Sequence, residues 1–497
     1  MNYLIKNGSI IDPARRVATV GDVLVVDGKV EQVFDMAEMR AEQGPLPEGT
    51  EVINARGCVI APGFTDLHAQ LGEPGEEYRE TIASGTLAAA HGGFTTVCAM
   101  PGTTPALDRA AVAHQVRAIA QRDGHVHVNL IGAITVGREG KALTEMIELA
   151  EAGCIAFSDD GRSIADAALM RSALAYAAAL GLPIMTHCED ARLSAGGAMH
   201  EGAISTRLGL PGIPAAAEEL MIARDIALAE DTGAHLHICQ VSTAGGVACI
   251  RAAKARGVRV TAEVTPHHLT LSDIWVLGSL TPRPILPTPP PPPLIRGKAR
   301  RVRAPELGLP DWLVPTALPP YDTSTRVSPP LRTAHDIEAL IAGIHDGTID
   351  VIASGHSPQS RVEKECEYGL AAPGISSLET ALGLVLTLVH RGEMDLVNAV
   401  SRLTEGPAQV IGRSPATLRP GSHADIVIFD PDHAWVVDAA RFVSRGKNTP
   451  LHGQQLKGQV MLTMAAGAVV FRRDNFGHSG RSGPQTSKLS GILSANE

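Results

Sequence analysis

The sequence has few of the features that mark exported or membrane-bound proteins. Its seven cysteines are an odd number, they form no CxxC motif, and most lie in apolar runs such as LHICQV. Such scattered cysteines are typical of reduced thiols packed in a core. The N-terminal MNYLIKNGSIIDPARR is typical of a short strand and a turn rather than of a secretory leader. No apolar run approaches the roughly 18 residues of a membrane helix. We therefore expect a cytoplasmic protein.

The chain also lacks an excess of positive charge. With 43 Lys+Arg against 53 Asp+Glu, its formal net charge is -10. This balance argues against nucleic acid and anionic membranes as partners, because both attract basic surfaces. Hydrophobic residues make up 44% of the 497 residues and charged residues 19%, so most of the chain can bury a core. The length suits a barrel-sized domain with a smaller one beside it.

From residue 64 onward, short β-branched segments alternate with alanine-rich helical ones. Segments such as RETIASGTLAAAHGG and EMIELAEAG have helical periodicity and a closing glycine. Eight strands joined by helical crossovers predict an α/β fold, a (β/α)₈ TIM barrel, over residues 61–415. The predicted strands are 64–68, 95–100, 126–133, 155–159, 182–187, 234–240, 258–265 and 349–355.

The two ends of the chain have a different pattern. Residues 1–60 and 416–475 contain strand-like segments joined by DG, NG and AG turns. We expect both ends to meet in one small composite β-sandwich beside the barrel. The last segment, 476–497, is polar and is predicted to be disordered.

A proline-rich insertion at 281–325 interrupts the barrel pattern between the seventh and eighth strands. Its five consecutive prolines favour a stiff polyproline II rod. One interpretation is a solvated loop, and the other is an arm that docks on a partner. A basic cluster follows the prolines, formed by Arg296, Lys298, Arg300, Arg301 and Arg303.

Polar residues stand where several of the predicted strands end. In a barrel of this type, chemistry sits at the C-terminal ends of the strands. A lone histidine there is more often structural, but two histidines and one aspartate on separate strand ends converge and favour a metal site. In strand order, the residues at these ends are His68 and Gln70, Asp159, His187, Gln240 and Gly355.

Ordered sequence blocks give the chain a family resemblance from its N-terminus to about residue 472. They include PGFTDLHAQLGEPG, GGFTTVCAMPGTTP, AFSDDG, HCED, LHICQVSTAGG, VTAEVTPHHLTLSD, SPPLR, DGTIDVIASGHSP, SRGKNTP and ADIVIFDP. The chain resembles the class I bacterial dihydroorotases of the amidohydrolase superfamily. This resemblance implies a barrel of the metal-dependent hydrolase type with a composite β-domain, and a centre of one or two zinc ions.

Half of the zinc ligands implied by this resemblance are missing. The family has a His-x-His pair on strand one, an aspartate in the SDDG block, histidines on strands five and six, and an aspartate on strand eight. The positions that keep a ligand are His68, Asp159 and His187, with Asp160 as a second candidate for the aspartate. The positions that have lost it are Gln70, Gln240 and Gly355. A neutral amide is a weak zinc donor, so we expect no metal or one weakly bound zinc.

Positions that act on the substrate in the family are altered as well. The strand-eight aspartate is the family's general base, so no catalytic residue is expected at Gly355. The arginine of the family pattern HLREPG is Gly72 here, which removes a bidentate contact to the substrate carboxylate. The asparagines of the MPNT and NPPLR blocks are Gly102 and Ser328. The later histidine of the DHAPH block is Gln359, although His356 remains.

The leading hypothesis is a catalytically inactive dihydroorotase homologue. The family includes non-catalytic dihydroorotase-like chains that partner aspartate carbamoyltransferase, so the resemblance implies a structural subunit of such a complex in pyrimidine biosynthesis. The alternative is a metal-dependent cyclic amidohydrolase in which His68, Asp159 and His187 form a reduced one-metal site. A slow residual dihydroorotase is a third hypothesis, which conflicts with the loss at Gly72 and Gly355.

Overall fold

Eight parallel strands form a barrel at the centre of the molecule. The computed structural model describes residues 1–35, 46–279, 315, 318–474 and 476–477. Its barrel strands are β6 (Phe64–Ala69), β7 (Phe94–Ala99), β8 (His127–Gly132), β9 (Cys154–Phe157), β10 (Ile184–His187), β13 (Leu236–Cys239), β14 (Val260–Val264) and β15 (Val351–Ile352). They pair in chain order, and a parallel bridge between Ala69 and His356 joins the last strand end to the first. The predicted (β/α)₈ barrel is confirmed.

Helices cover the barrel strands, which are buried on both faces as parallel strands usually are. Local signals fix several helix ends: the Thr81 hydroxyl accepts from Ser84 N at the first helix, and Gly181 (φ 68) ends the fourth. The helices are α1 (Ile82–His91), α2 (Ala110–Asp123), α3 (Met146–Glu151), α4 (Ala167–Leu180), α5 (Ala203–Leu208), α6 (Ala216–Thr232), α7 (Ala244–Ala255), α8 (Pro266–Thr270), α9 (Ile274–Leu277), α10 (Ala334–His345), α11 (Arg361–Lys364), α12 (Ala381–His390), α13 (Leu396–Leu403) and α14 (Glu405–Val410).

A separate sheet is built from both ends of the chain. Its strands are β1 (Tyr3–Asp12), β2 (Val17–Val26), β3 (Lys29–Asp35), β4 (Glu51–Asn54), β5 (Val59–Pro62), β16 (Ile426–Val436), β17 (Gln455–Ala465) and β18 (Ala468–Arg472). The order is β18-β17-β16-β5-β1-β2-β3, with β4 paired to β1. The two ends meet where β5 and β16 run antiparallel, with Ile60 opposite Ile428. The expected composite β-domain is therefore present. A short pair, β11 (Met199–His200) with β12 (Gly212–Ile213), lies outside both sheets.

Aromatic side chains pack the terminal sheet against the barrel. The Phe64 ring lies 5.8 Å from that of Phe94 and 6.1 Å from that of Phe429, measured between centroids. All three rings are fully buried, and such aromatic contacts add to the stabilisation from burial. The Thr463 hydroxyl donates to the Ala90 carbonyl at 2.6 Å. The first barrel strand is therefore held by residues from the far end of the chain.

Two of the expectations from the sequence lie outside the described residues. Of the predicted insertion at 281–325, the structure describes only residue 315 and residues 318–325. Of the predicted tail at 476–497, it describes only residues 476 and 477.

The cysteines agree with a reduced protein. All seven lie in the described ranges and are free thiols, five of them buried. Within those ranges, no helix is both long and apolar enough to cross a membrane.

Candidate functional site

The candidate site is a recess of about 140 Å³ at the C-terminal ends of the barrel strands. A second recess of about 280 Å³ adjoins it, shares Gln70, Asp160 and Ser357, and extends to Gly102 and Gln359. Residues singled out from the sequence that line the first recess are His68, Gln70, Asp160, His187, Gln240, Ser328 and Gly355. Neither Asp159 nor Gly72 is among the described residues that line the two recesses.

The carboxylate that faces the recess belongs to Asp160, so the preference for Asp159 needs correction. Asp159 turns toward the loop after β8, where it accepts from the backbone N–H groups of Ile134 (2.9 Å) and Thr135 (3.0 Å) and from the Thr135 hydroxyl. Asp160 instead contacts His68 and Gln70. The reason is local: β9 ends at Phe157, and Asp160 has φ 35, so the two-residue alternation of a strand does not extend to this position.

His68 is held between two carboxylates. Its Nδ1 lies 2.9 Å from Glu263 Oε1 and its Nε2 lies 3.0 Å from Asp160 Oδ1. Burial by itself lowers the pKa of His68, but hydrogen bonds with Asp160, Cys239 and Glu263 outweigh it and raise that pKa well above its usual value. Both ring nitrogens are therefore occupied by protein partners.

The two carboxylates beside His68, those of Asp160 and Glu263, are ionised because neighbouring cationic groups and hydrogen bonds stabilise their charged form. Burial raises the pKa of each, yet the pKa of Asp160 falls to about 2 because of His68, Arg138 and His187. The pKa of Glu263 also falls to about 2 because of hydrogen bonds from His237 and His68. The centre of the site is a buried cluster of compensating charges.

Glu263 is a site residue that sequence reasoning missed. It lies on β14, is fully buried, and also contacts His237 Nε2 at 3.2 Å. The available signal was its own position, a carboxylate inside the β-branched run VRVTAEVT. A buried carboxylate needs a partner, and strand seven lies within reach of strand one only in the folded barrel.

Gln70 links two strand ends where a second histidine was expected. Its Nε2 donates to Asp160 Oδ2 at 3.0 Å, and its Oε1 accepts from the Ser357 hydroxyl at 2.8 Å. The amide therefore has both a donor and an acceptor partner, which an imidazole at this position cannot reproduce in the same geometry.

Gly355 has a backbone adapted to glycine. Its φ is +62, and a Cβ placed there lies 2.7 Å from Thr265 Cγ2 and 3.1 Å from Gln240 Nε2. Side chains of L-residues rarely adopt this conformation, although aspartate tolerates it better than most. An acid at this position therefore requires neighbouring atoms to shift.

Two imidazole nitrogens in the recess have no hydrogen-bond partner in the described part of the chain. They are Nδ1 of His187 and Nδ1 of His267, and both side chains are buried. His187 Nε2 lies 3.3 Å from the Ser328 hydroxyl. Burial and then the nearby His268 lower the pKa of His267 well below its usual value, so this ring is neutral. Both nitrogens are enclosed by the protein and have unused hydrogen-bonding capacity.

At the two glycines that replace substrate anchors, neighbouring atoms occupy the space that a side chain would need. A Cβ at Gly102 lies 2.7 Å from Arg138 Nη1, so the Arg138 side chain takes the space of the family's asparagine. Arg138 also donates from Nε to the Asp159 carbonyl at 2.9 Å. At Gly72, φ is +65 and a Cβ lies 2.7 Å from the Glu80 carbonyl oxygen. Arg138 was not identified from the sequence, because its loop gives no positional signal.

The remaining polar residues of the last family block, Gln359 and His356, are held by hydrogen bonds within the protein. Gln359 Nε2 donates to the Pro373 carbonyl at 3.1 Å. His356 is buried, with Nε2 3.3 Å from Glu80 Oε2 and Nδ1 accepting from Ser377 N. His356 thus takes part in the packing under the strand ends.

The donor set does not fit the two-metal centre of the family. Within the described residues, one group of three donors has all its ligand atoms within 4.8 Å of one another, and it is His68, Cys239 and Glu263. His68, Asp160 and His187 do not form such a group. Burial raises the pKa of the Cys239 thiol to about 12, so the thiolate that zinc prefers is disfavoured. The described donors provide a potential metal-binding group but no arrangement for two ions.

Comparison with solved structures finds the same fold in hydantoinases. The L-hydantoinase (dihydropyrimidinase) of Arthrobacter aurescens superposes with a TM-score of 0.76 at 24% identity, covering 95% of this chain and 97% of the other. A D-hydantoinase crystal structure gives a TM-score of 0.74 at 21% identity, covering 96% of each chain. At these identities the likeness shows the fold alone.

Sequence comparison gives the family. The model for dihydro-orotase-like proteins matches residues 57–245. The dihydroorotase of Pelotomaculum thermopropionicum is 48% identical over 473 residues, which cover 95% of this chain and 99% of that protein. The dihydroorotase of Syntrophus aciditrophicus is 43% identical over 474 residues, covering 95% and 100%. The chain belongs to the dihydroorotase-like family.

Proposed function

We propose that this chain is a dihydroorotase-family protein without dihydroorotase activity, which serves as a non-catalytic subunit with aspartate carbamoyltransferase in pyrimidine biosynthesis. One observation carries the inactivity: both ring nitrogens of His68 are taken by Asp160 and Glu263. Of the residues expected to bind a metal, His68 and Asp160 are paired with each other. The site is therefore stable as an ion-paired cluster.

The positions of the family's general base and of its substrate anchors also lack the side chains that hydrolysis needs. Gly355 has no side chain to accept a proton, and loss of a general base costs roughly 10²–10⁴-fold in rate. Arg138 stands where an asparagine anchor is expected at position 102, and position 72 has no side chain to hold a carboxylate. Each of these changes acts against the hydrolysis of a cyclic amide, and Gly355 and Gly102 line the two adjoining recesses.

The partner in this proposal comes from the resemblance to the non-catalytic chains of the family. The complete barrel and terminal sheet support it, because the fold is kept although expected ligand positions at the strand ends are altered. A protein that acts through its surface needs its fold but not its recess. The surface that contacts the partner is a separate question, for which the insertion at 281–325 is one candidate.

The second candidate function is a metal-dependent cyclic amidohydrolase with a reduced one-metal site. The comparisons support this candidate more directly than the first, since full-length relatives are named dihydroorotase at 41–48% identity. The free Nδ1 atoms of His187 and His267 also favour it, because they are buried donors without a partner. The two candidates differ in metal content and turnover.

The first experiment measures both quantities on the purified full-length chain. We expect less than one tightly bound zinc by elemental analysis, and no hydrolysis of L-dihydroorotate or cyclisation of L-carbamoyl aspartate. A dihydroorotase that retains all its ligands, prepared and assayed in parallel, serves as the positive control. One or more stoichiometric metal ions together with turnover at ordinary enzyme rates would establish the second candidate.

The second experiment tests the partnership. Purification from the native organism is expected to recover aspartate carbamoyltransferase with this chain in a fixed ratio. The partnership is refuted if the chain elutes alone at every salt concentration and the carbamoyltransferase is assembled and active without it. Deletion of residues 284–310 provides the matched variant. If the complex survives this deletion, the docking surface lies on the barrel or terminal sheet.

A further inference from the structure

A large cleft lies at the end of the barrel opposite to the candidate site. We call it the basal cleft; its volume is about 760 Å³. Its walls come from the N-terminal ends of β6, β7 and β8, from α2, and from residues 411–417 and 422–425. This volume falls within the range of small-molecule sites. Neither the family comparison nor the proposed function assigns it a role.

Two arginines that line the basal cleft have no hydrogen-bond or ion-pair partner among the described residues. The two residues are Arg117, which is half-buried, and Arg413, which is exposed. Within the described ranges, neither side chain forms a hydrogen bond or an ion pair with another residue. A Cβ at Gly153 would lie 1.5 Å from Arg117 Nη2, so glycine leaves the room that this guanidinium occupies. Arginine side chains without a partner in the protein are free to bind an external anion.

The acid in the cleft lining, Asp425, is ionised and already has partners within the protein. Asp425 Oδ1 lies 3.2 Å from His127 Nε2 and accepts from Ala466 N at 2.7 Å. Burial raises the pKa of Asp425, but the His127 contact and this backbone bond lower it below its usual value. Among the described lining residues the two arginines outnumber the one carboxylate, so the lining is positive although the whole chain carries -10. This local sign is opposite to that of the molecule.

The rest of the lining suits a ring with polar edges. Apolar surface comes from Val126, Val128, Ile411 and Pro415, and hydrogen-bonding groups come from Asn129, Ser414 and Ser422. An inorganic ion uses none of the apolar surface and fills little of the volume. A heterocyclic base joined to a phosphate uses both parts of the lining.

We propose that the basal cleft binds a nucleoside phosphate, with its phosphate groups on Arg117 and Arg413 and its base against the apolar wall. The Asp425 contact to Ala466, in the turn between β17 and β18, connects the cleft to the terminal sheet. The proposal is independent of catalysis at the candidate site. It holds or fails whichever function that recess has.

The test is equilibrium binding to the full-length chain by isothermal titration calorimetry. The probes are a purine and a pyrimidine nucleoside triphosphate, pyrophosphate, and the two uncharged nucleosides. We expect saturable binding of at least one triphosphate, weakened about tenfold or more by Arg117→Gln or Arg413→Gln, as expected when a charge-assisted contact is lost. Arg413→Lys keeps the charge and is expected to retain more affinity than Arg413→Gln.

Arg171→Gln is the matched control, because Arg171 is an exposed helical arginine paired with Asp231 on another part of the barrel. It is expected to bind as the unchanged protein does. Circular dichroism checks that each variant is folded. The proposal is overturned if no triphosphate binds at millimolar concentration, or if the uncharged nucleosides bind as tightly as the triphosphates. It is also overturned if the folded variant that combines Arg117→Gln and Arg413→Gln binds the triphosphates as tightly as the unchanged protein. Binding of pyrophosphate as tight as that of the triphosphates would also overturn it, since the base would then contribute nothing.

Discussion

Charge pairing around His68 determines which substitutions the strand ends tolerate. Considered from the sequence as a vestigial ligand, His68 is expected to be replaceable at little cost. The structure predicts otherwise, because His68→Ala leaves the buried carboxylates of Asp160 and Glu263 without their shared partner. Breaking a buried pair in this way costs about 3–5 kcal/mol. Urea denaturation of the variant at neutral pH measures this loss directly.

The control for this measurement is Arg171→Ala. The Arg171 and Asp231 side chains are 57% and 55% exposed, so their pair is worth less than about 1 kcal/mol. If His68→Ala is as mild as this control, the three groups do not form a charged cluster, and the argument for inactivity from pairing is lost.

Asp273 lowers the stability of the protein as the pH rises. An acid that is ion-paired in the folded state has the opposite effect, because its contribution is lost as the pH falls. Burial raises the pKa of Asp273 to about 7, so the folded state holds its proton more tightly than the unfolded chain does. The stabilisation is fully present below about pH 4 and is lost as the pH rises through 7. Asp273→Asn keeps the shape and removes this charge. At pH 8 we expect the variant to be more stable than the unchanged protein by about 3–5 kcal/mol.

Denaturation curves at pH 4, 6 and 8 check this prediction. The two proteins are expected to differ least at pH 4 and most at pH 8. A difference that stays constant over this range would show that the Asp273 carboxyl is not buried as the structure has it.

At the scale of strands, restoring ligands is not the same as restoring a site. The triple change Gln70→His, Gln240→His and Gly355→Asp returns the family's donors, and we expect the metal content to rise above that of the unchanged chain. Turnover is not expected, because positions 72 and 102 still lack substrate anchors. The aspartate at 355 also takes a left-handed backbone that costs roughly 1–2 kcal/mol.

Replacing Gly355→Asp by Gly355→Ala in the triple variant supplies the control, since it keeps the strain and omits the carboxylate. Elemental analysis and a dihydroorotate assay are done on both variants. Efficient hydrolysis by the aspartate triple variant would mean that the recess retains a substrate site, against our interpretation of Gly72 and Gly102.

The elements show how far sequence can predict this protein. The barrel strands were predictable because each is a short β-branched run followed by a helix with its own start and stop signals. Asp160 could not be preferred over Asp159, since the choice depends on where β9 ends and on the φ of one residue. Glu263 and Arg138 enter the site from strands and loops far apart in the chain. Their contacts exist only after the barrel has closed.

At the scale of the whole molecule, the terminal sheet couples the two ends of the chain. A chain that stops at residue 421 lacks β16, β17 and β18, so β5 loses its antiparallel neighbour and Phe64 loses its contact with Phe429. We expect this truncated chain to be insoluble or to lose its cooperative thermal transition. A chain that stops at residue 477 keeps every described strand and is the control.

Circular dichroism and soluble yield compare the two truncations. The longer chain is expected to melt as the full-length protein does. Cooperative melting of the shorter chain at an unchanged temperature would show that the barrel is independent of the sheet.

The pairing of β5 with β16 also sets an order of events during synthesis. The ribosome releases the first sixty residues long before their partner strands exist, so β5 waits with an open edge while the entire barrel is made. Contacts between such distant segments form late and slowly, because closing the intervening loop costs entropy. The nascent chain therefore exposes an aggregation-prone edge until its last strands emerge. A circular permutant that joins the native termini and opens elsewhere would place these strands close together in sequence and shorten that interval.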